Sequence, residues 1–165
     1  PEIRDGNLPI RYDFLLASQG DLEAGNLQSA ELFDDQLALM VYPDHPFASR
    51  SSVHLSEVIN ETVFAPIPEQ SLRRMLDELF KLAGLSPKVI IECSYMVRRS
   101  MVLAKRGVSI STMRSSKAES DPSLKYIPIE TPYHRWKQLL LWHRNENMTN
   151  AAMLFKDFTI DYYRK

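Results

Sequence analysis

Short apolar runs alternate with polar, proline- or glycine-marked stretches along this 165-residue chain. Leu37-Ala-Leu-Met-Val41 is too short for a helix and too apolar for an exposed loop, so it predicts a buried strand. It runs into Tyr42-Pro-Asp-His-Pro-Phe-Ala48. There Pro43 and Pro46 remove backbone donors and push Tyr42 and His45 into extended conformations, so pairing ends at Tyr42. Asp44 is placed to accept hydrogen bonds from backbone N–H groups of that turn.

The same reading extends both ways. Arg11 to Ala17 predicts a strand leading into a glycine-containing loop from Ser18 to Gln28. Leu55 to Ile59 is a short helix, and Thr62 to Ala65 a strand stopped by Pro66 and Pro68. From Ser71 to Ala83, the spacing of Leu72, Met75, Leu76, Leu79, Phe80 and Ala83 predicts an amphipathic helix terminated at Gly84. Its charged side, including Arg73, Arg74, Asp77, Glu78 and Lys81, reads as a solvated face. Lys88 to Glu92 is a strand, Tyr95 to Lys105 a helix ended by Gly107, and Val108 to Ser111 a strand. The polar run Arg114 to Ser123 should be exposed. Two further strands, Leu124 to Ile129 and Trp136 to Trp142, precede a final helix capped by Thr149, with Ala152, Phe155, Phe158 and Tyr162 on its apolar side. Strands separated by helices predict an α/β fold with mostly parallel pairing.

Composition removes several function classes. Twenty basic against twenty-one acidic residues give a formal net charge of −1, without the basic excess of a nucleic-acid binder. The longest apolar runs fall far short of the roughly 20 residues of a membrane-spanning helix, and a signal peptide is not expected. The single cysteine, Cys93, excludes an internal disulfide and fits a cytoplasmic setting. Four histidines show no metal-ligand spacing, the five glycines are scattered, and no Gly-x-Ser-x-Gly turn is present, so no metal, cofactor or catalytic residue is expected. Cys93, ahead of the Tyr95 helix, reads either as a thiol activated by the helix dipole or, in preference, as a small buried core residue.

Helix N-termini beyond strand ends are the places where an α/β sheet receives ligands. Pro66 to Leu72 follows one strand and Cys93 to Met96 another. Gln70, Ser71, Ser94 and Tyr95 offer polar groups there, although Ser71 and Ser94 can equally serve only as helix caps.

Read in order, Ile3 to Leu8 with Tyr12-Asp-Phe-Leu15, Asp44-His-Pro-Phe-Ala48, Val53 to Val58, Ser71-Leu-Arg-Arg with Phe80 to Pro87, and Leu103 to Ile110 resemble the effector-binding domain of LysR-type transcriptional regulators. Leu124 to Ile129, Trp136 to Arg144 and Ala151 to Phe155 continue the pattern, which covers nearly the whole chain. The resemblance implies a fold like the type-2 periplasmic binding proteins, two Rossmann-like lobes joined by two crossover strands. Lobe I, incomplete, would comprise 1–36 plus 118–165, and lobe II 37–117, with the Leu37 strand crossing out and the run from Arg114 to Ser123 crossing back. The winged helix-turn-helix and the opening of the first lobe would lie outside this chain.

The implied function is effector sensing, not catalysis. A small metabolite bound between the lobes would modulate DNA binding by a dimeric or tetrameric full-length regulator, whose DNA contacts come only from its N-terminal domain. Implied effector contacts are Ser18, Gln70, Ser71, Leu72, Ser94 and Tyr95. A solute-binding protein of similar fold is the alternative. One departure stands out: the family's Gly-x-Gly is here Lys105-Arg106-Gly107.

Overall fold

The computed structural model describes residues 12–18, 27–119, 121–131, 136–144 and 148–164. In chain order the strands and helices begin β1 (Leu15–Ser18), β2 (Leu27–Asp35), β3 (Leu37–Val41), β4 (Val53–His54), α1 (Leu55–Val58) and β5 (Thr62–Ala65). Next come α2 (Ser71–Leu82), β6 (Val89–Glu92), α3 (Tyr95–Leu103), β7 (Val108–Thr112) and α4 (Met113–Glu119). The last three are β8 (Lys125–Glu130), β9 (Trp136–His143) and α5 (Asn150–Arg164). They fall into two compact units, Pro1–Asp34 with Trp136–Lys165, and Asp35–Arg135.

The first unit contains a sheet of order β1-β9-β2, in which β1 and β9 run antiparallel with Leu15 opposite Leu141 and Ser18 opposite Gln138. Ala17, Leu139 and Leu141 form its apolar centre. The expected loop from Ser18 to Gln28 is corrected at both ends: Ser18 closes β1, and Leu27 opens β2. The sequence did not predict β2 because only Leu32 of its nine residues is buried. Side chains on β9 hold this polar strand instead, with Lys137 on Glu31 at 2.6 Å and the Trp142 indole donating to Gln28 Oε1 at 2.8 Å.

In α5 the Thr149 hydroxyl accepts from the Ala152 N–H at 3.2 Å, the cap the sequence predicts. Its expected apolar side divides: Ala152 is buried, whereas Phe155, Phe158 and Tyr162 are exposed.

The second unit is built on a six-stranded sheet of order β4-β8-β3-β7-β5-β6. Pairing is mixed, with three parallel ladders and two antiparallel ones. β3 lies antiparallel to both β7 and β8, while β4–β8, β5–β6 and β5–β7 are parallel. A strand paired on both sides and covered on both faces has no polar environment to meet, which is why Leu37 to Val41 reads as an unbroken apolar run; all five residues are at most 1% exposed. Met40 packs with Val102 of α3 and Leu124 ahead of β8.

The compact units divide at 34/35 and 135/136, where the lobes implied by the sequence divide at 36/37 and 117/118. The run expected to cross back is the helix α4, half-buried at Ser115 and Ser116, followed by a turn. The chain stays in the second unit to Arg135 because β8 is inserted between β3 and β4. The start of α4 is fixed by one remote and one local contact: the Arg114 N–H meets Asp35 Oδ1 at 3.1 Å, and the Ser115 N–H meets Thr112 Oγ1 at 3.2 Å.

α2 and α3 end alike. After α2, Gly84 has φ 64°, its N–H meets Lys81 O at 3.1 Å, and the Leu85 N–H meets Phe80 O at 2.9 Å. This crossed pair of hydrogen bonds is the Schellman arrangement. After α3 the same pattern places Lys105 at the left-handed position, with φ 58°. The sequence-derived stop at Gly107 is thus two residues late. Lys105 tolerates the conformation while its ammonium pairs with Asp44 and lies 5.3 Å from the Tyr42 ring centre. Asp44 therefore receives a lysine from the end of α3, and that hydrogen bond holds its carboxyl below the ordinary range.

His45, in the same turn, is buried between Tyr42 and Phe47 at ring distances of 5.0 and 5.1 Å. Its Nδ1 accepts the Phe47 N–H at 3.1 Å. Burial pushes the imidazole below its ordinary value of 6.5, against the opposing pull of Glu61. Because the unfolded chain binds the proton more readily, stability falls as pH drops through the unfolded value toward the lower folded one. Urea unfolding of His45→Gln should therefore show a shallower loss between neutral and mildly acidic pH than the parent; identical slopes would remove His45 from the acid response.

Candidate functional site

The parallel register of β5 and β6 sets Ala65 opposite Glu92, and the Cys93 N–H continues the ladder to Ala65 O at 3.0 Å. The two chains leave this sheet edge together, so the N-termini of α2 and α3 rise from neighbouring strand ends. Arg73 fastens the pair: it donates to Glu92 Oε1 at 2.6 Å, to Pro66 O at 3.2 Å and to Asp77 Oδ1 at 2.8 Å. The sequence assigned Arg73 to a solvated face, but its side chain is only 12% exposed. The i, i+4 spacing to Asp77 was the visible signal; the link to Glu92, nineteen residues on, was not.

Five of the six predicted contacts stand at these two helix starts. Gln70 is the extended residue preceding α2 and makes no side-chain cap, with Ser71 and Leu72 the first two helical residues. Ser94 precedes α3, also with no side-chain cap, and Tyr95 opens it. Ser71 thus stands inside α2 rather than at its cap position, and Ser94 stands at the cap position of α3 without a cap hydrogen bond. Gln70 and Ser94 are exposed, while Ser71, Leu72 and Tyr95 are half-buried. The sixth, Ser18, belongs to the first unit, where it is buried and accepts from Gln138 Nε2 at 2.9 Å.

Cys93 is half-buried rather than a core thiol. Burial raises its pKa, with the charge of Arg98 opposing, so the dipole-activated thiolate considered from the sequence is not supported. Among the described residues no group of three or more His, Cys, Asp or Glu is placed to hold a metal ion, and no helix is long and apolar enough to cross a membrane. An open groove of about 600 Å³ along Ser29 to Asp34 and Arg164 touches none of the predicted contacts.

Residues 9–164 match the family model described as the LysR substrate binding domain. The chain belongs to this LysR family. Among curated relatives, the transcriptional dual regulator GltC of Bacillus subtilis (strain 168) is 30% identical over 137 residues, 81% of this chain and 45% of GltC. The chain spans about half the length of the curated relatives it matches. Two solved structures share the fold. The BenM effector binding domain with its effector benzoate has a TM-score of 0.79 at 20% identity, covering 92% of this chain and 69% of that one. The effector binding domain of QuiR in complex with shikimate has a TM-score of 0.76 at 24% identity, covering 93% and 73%. The periplasmic-binding-protein-like α/β architecture is thus that of LysR effector-binding domains, and within it Lys105 keeps the left-handed backbone where the family's first glycine is expected.

Proposed function

We propose that this chain is the effector-sensing part of a LysR-type transcriptional regulator and that a small metabolite binds at the starts of α2 and α3. The family match over residues 9–164 carries this reading. The geometry supports it: Ser94 makes no cap hydrogen bond to α3, and first-turn N–H groups lie beside it and beside Ser71 at the start of α2. Gln70 and Ser71 supply directional hydrogen bonds, Ser94 a further one, and Leu72 and Tyr95 apolar walls. Ser18 is the weakest member of the set, because Gln138 already engages it.

The ligand acts by favouring one arrangement of the domain over another, changing how a cytoplasmic dimer or tetramer presents DNA-reading domains supplied by the rest of the regulator. Catalysis forms no part of the proposal: Glu69, Cys93 and Tyr95, the polar candidates nearby, have no evident partner base. Thermal-shift screening of the intact regulator against metabolites identifies the effector. Ser71→Ala should then weaken its binding roughly three- to tenfold, the worth of one hydrogen bond. Unchanged affinity would remove Ser71 from the site.

A further inference from the structure

One edge of the six-stranded sheet is an apolar strand left open to solvent. β6 is the end member of the order β4-β8-β3-β7-β5-β6, with β5 as its neighbour. Val89, Ile90 and Ile91 are 44%, 37% and 41% exposed. A continuous apolar run of this kind is what an enclosed strand produces, as in β3, where exposure is 1% or less. Edge strands of stable monomers are shortened, bulged or charged along their length, which prevents further pairing. Around β6 the charges stand only at the two ends: Lys88 just ahead of the strand and Glu92 at its close, both exposed.

The backbone decides which groups face outward. The Cys93 N–H donates to Ala65 O at 3.0 Å, and in a parallel ladder alternate residues turn N–H and C=O to the same neighbour. Val89 and Ile91 therefore face β5, while Ile90 and Glu92 present their N–H and C=O to the open edge. A second β6 laid antiparallel about a twofold axis at Ile90 meets these groups. The two Ile90 residues then exchange a pair of N–H···O bonds, and each Glu92 N–H reaches the Lys88 carbonyl of the other copy. The same register sets each Lys88 opposite a Glu92, because Lys88-Val-Ile-Ile-Glu92 is charge-complementary to its own reverse. Parallel pairing would bring like charges together instead. Arg73 holds Glu92 Oε1 at 2.6 Å and so fixes the carboxylate at this edge. The exposed face of α5, with Leu154, Phe155 and Phe158, is a rival apolar surface, but its backbone groups are spent within the helix.

We propose that β6 is a self-association edge, at which two copies of this chain join antiparallel into one continuous sheet across a twofold axis. This gives a contact surface to the dimer named above and stands apart from effector binding, so the two readings fail separately: Ser71→Ala judges the ligand site, and the state of association judges β6. The contact is a single strand edge with its flanking side chains, so the dimer dissociates on dilution.

Sedimentation equilibrium of the 165-residue chain between roughly 1 μM and 1 mM should show a reversible monomer–dimer equilibrium. Lys88→Glu alone and Glu92→Lys alone should each weaken it about tenfold or more, because each turns both cross-strand pairs into like charges. Mixed in equal amounts, the two variants should recover dimers of the parent's affinity, since every pair again joins an acid to a base. Far-UV circular dichroism establishes that each variant is folded. Ile90→Lys, which sets two ammonium groups on the axis, should leave monomers at every concentration, and it decides the case if Glu92→Lys does not fold. Phe158→Lys, on the rival face of α5, should leave association unchanged. A parent chain that stays monomeric throughout would overturn the proposal. So would a folded Ile90→Lys that still dimerises, a mixture of folded variants that does not recover, or loss of the dimer only with Phe158→Lys.

Discussion

Gly107→Ala is expected to destabilise the second unit by about 3 kcal/mol, combining overpacking with backbone strain. Gly107 has φ 154°, a value that residues with a Cβ rarely adopt, and it passes directly against β5. A methyl group there meets the Thr62 carbonyl oxygen well inside van der Waals contact, with Phe64 Cε2 and Thr62 Cβ each at 3.0 Å. The obstacle is backbone within a paired strand, so rotamer changes cannot relieve it. Urea unfolding followed by far-UV circular dichroism measures the loss. Gly84→Ala is the control, because its left-handed φ of 64° is strained but no atom lies within 4 Å of an added Cβ. If both variants lose the same stability, the close approach to Thr62 is not what makes Gly107 necessary.

Leu39→Ala should cost a similar amount, about 3–4 kcal/mol, for a different reason. Leu39 is fully buried at the centre of β3, opposite Ile110 of β7 and Ile127 of β8. Truncation leaves a cavity that two flanking ladders prevent from collapsing, adding a void to the lost burial. Leu16→Ala, at a residue 60% exposed, should change stability by only about 0.5 kcal/mol or less. Equal losses from the two leucine variants would contradict the placement of the core on β3.

These two positions show what kind of information the sequence held. Leu39 was legible because a fully covered strand writes its environment as a continuous apolar run, and α2 was legible because one covered face writes a helical period. Gly107 was visible only as a helix stop; the carbonyl that requires it belongs to a strand more than forty residues earlier. β2 escaped because its partners on β9 are polar, and α4 because one of its first-turn N–H groups, that of Arg114, is met by Asp35, seventy-nine residues earlier. Mixed pairing was hidden because local periodicity does not report strand direction.

The candidate site divides the same way. Strand ends followed by helix starts are local, and they pointed to Gln70, Ser71, Leu72, Ser94 and Tyr95. Arg73, which joins the two strand ends, was not identified because its partner Glu92 is remote in sequence. The expected solvated face of α2 failed at Arg73 for that reason.

Cys93 lies one residue before the α3 mouth, half-buried and with its thiol held protonated above the ordinary range. As the chain's single sulfhydryl, it gives a thiol-directed fluorophore or spin label one possible address. Alkylation quickens with pH as the thiolate forms, and a molecule seated beside Ser94 would shield the sulfur. The chain thereby carries a native occupancy gauge, readable as a change in labelling rate without adding a reporter residue.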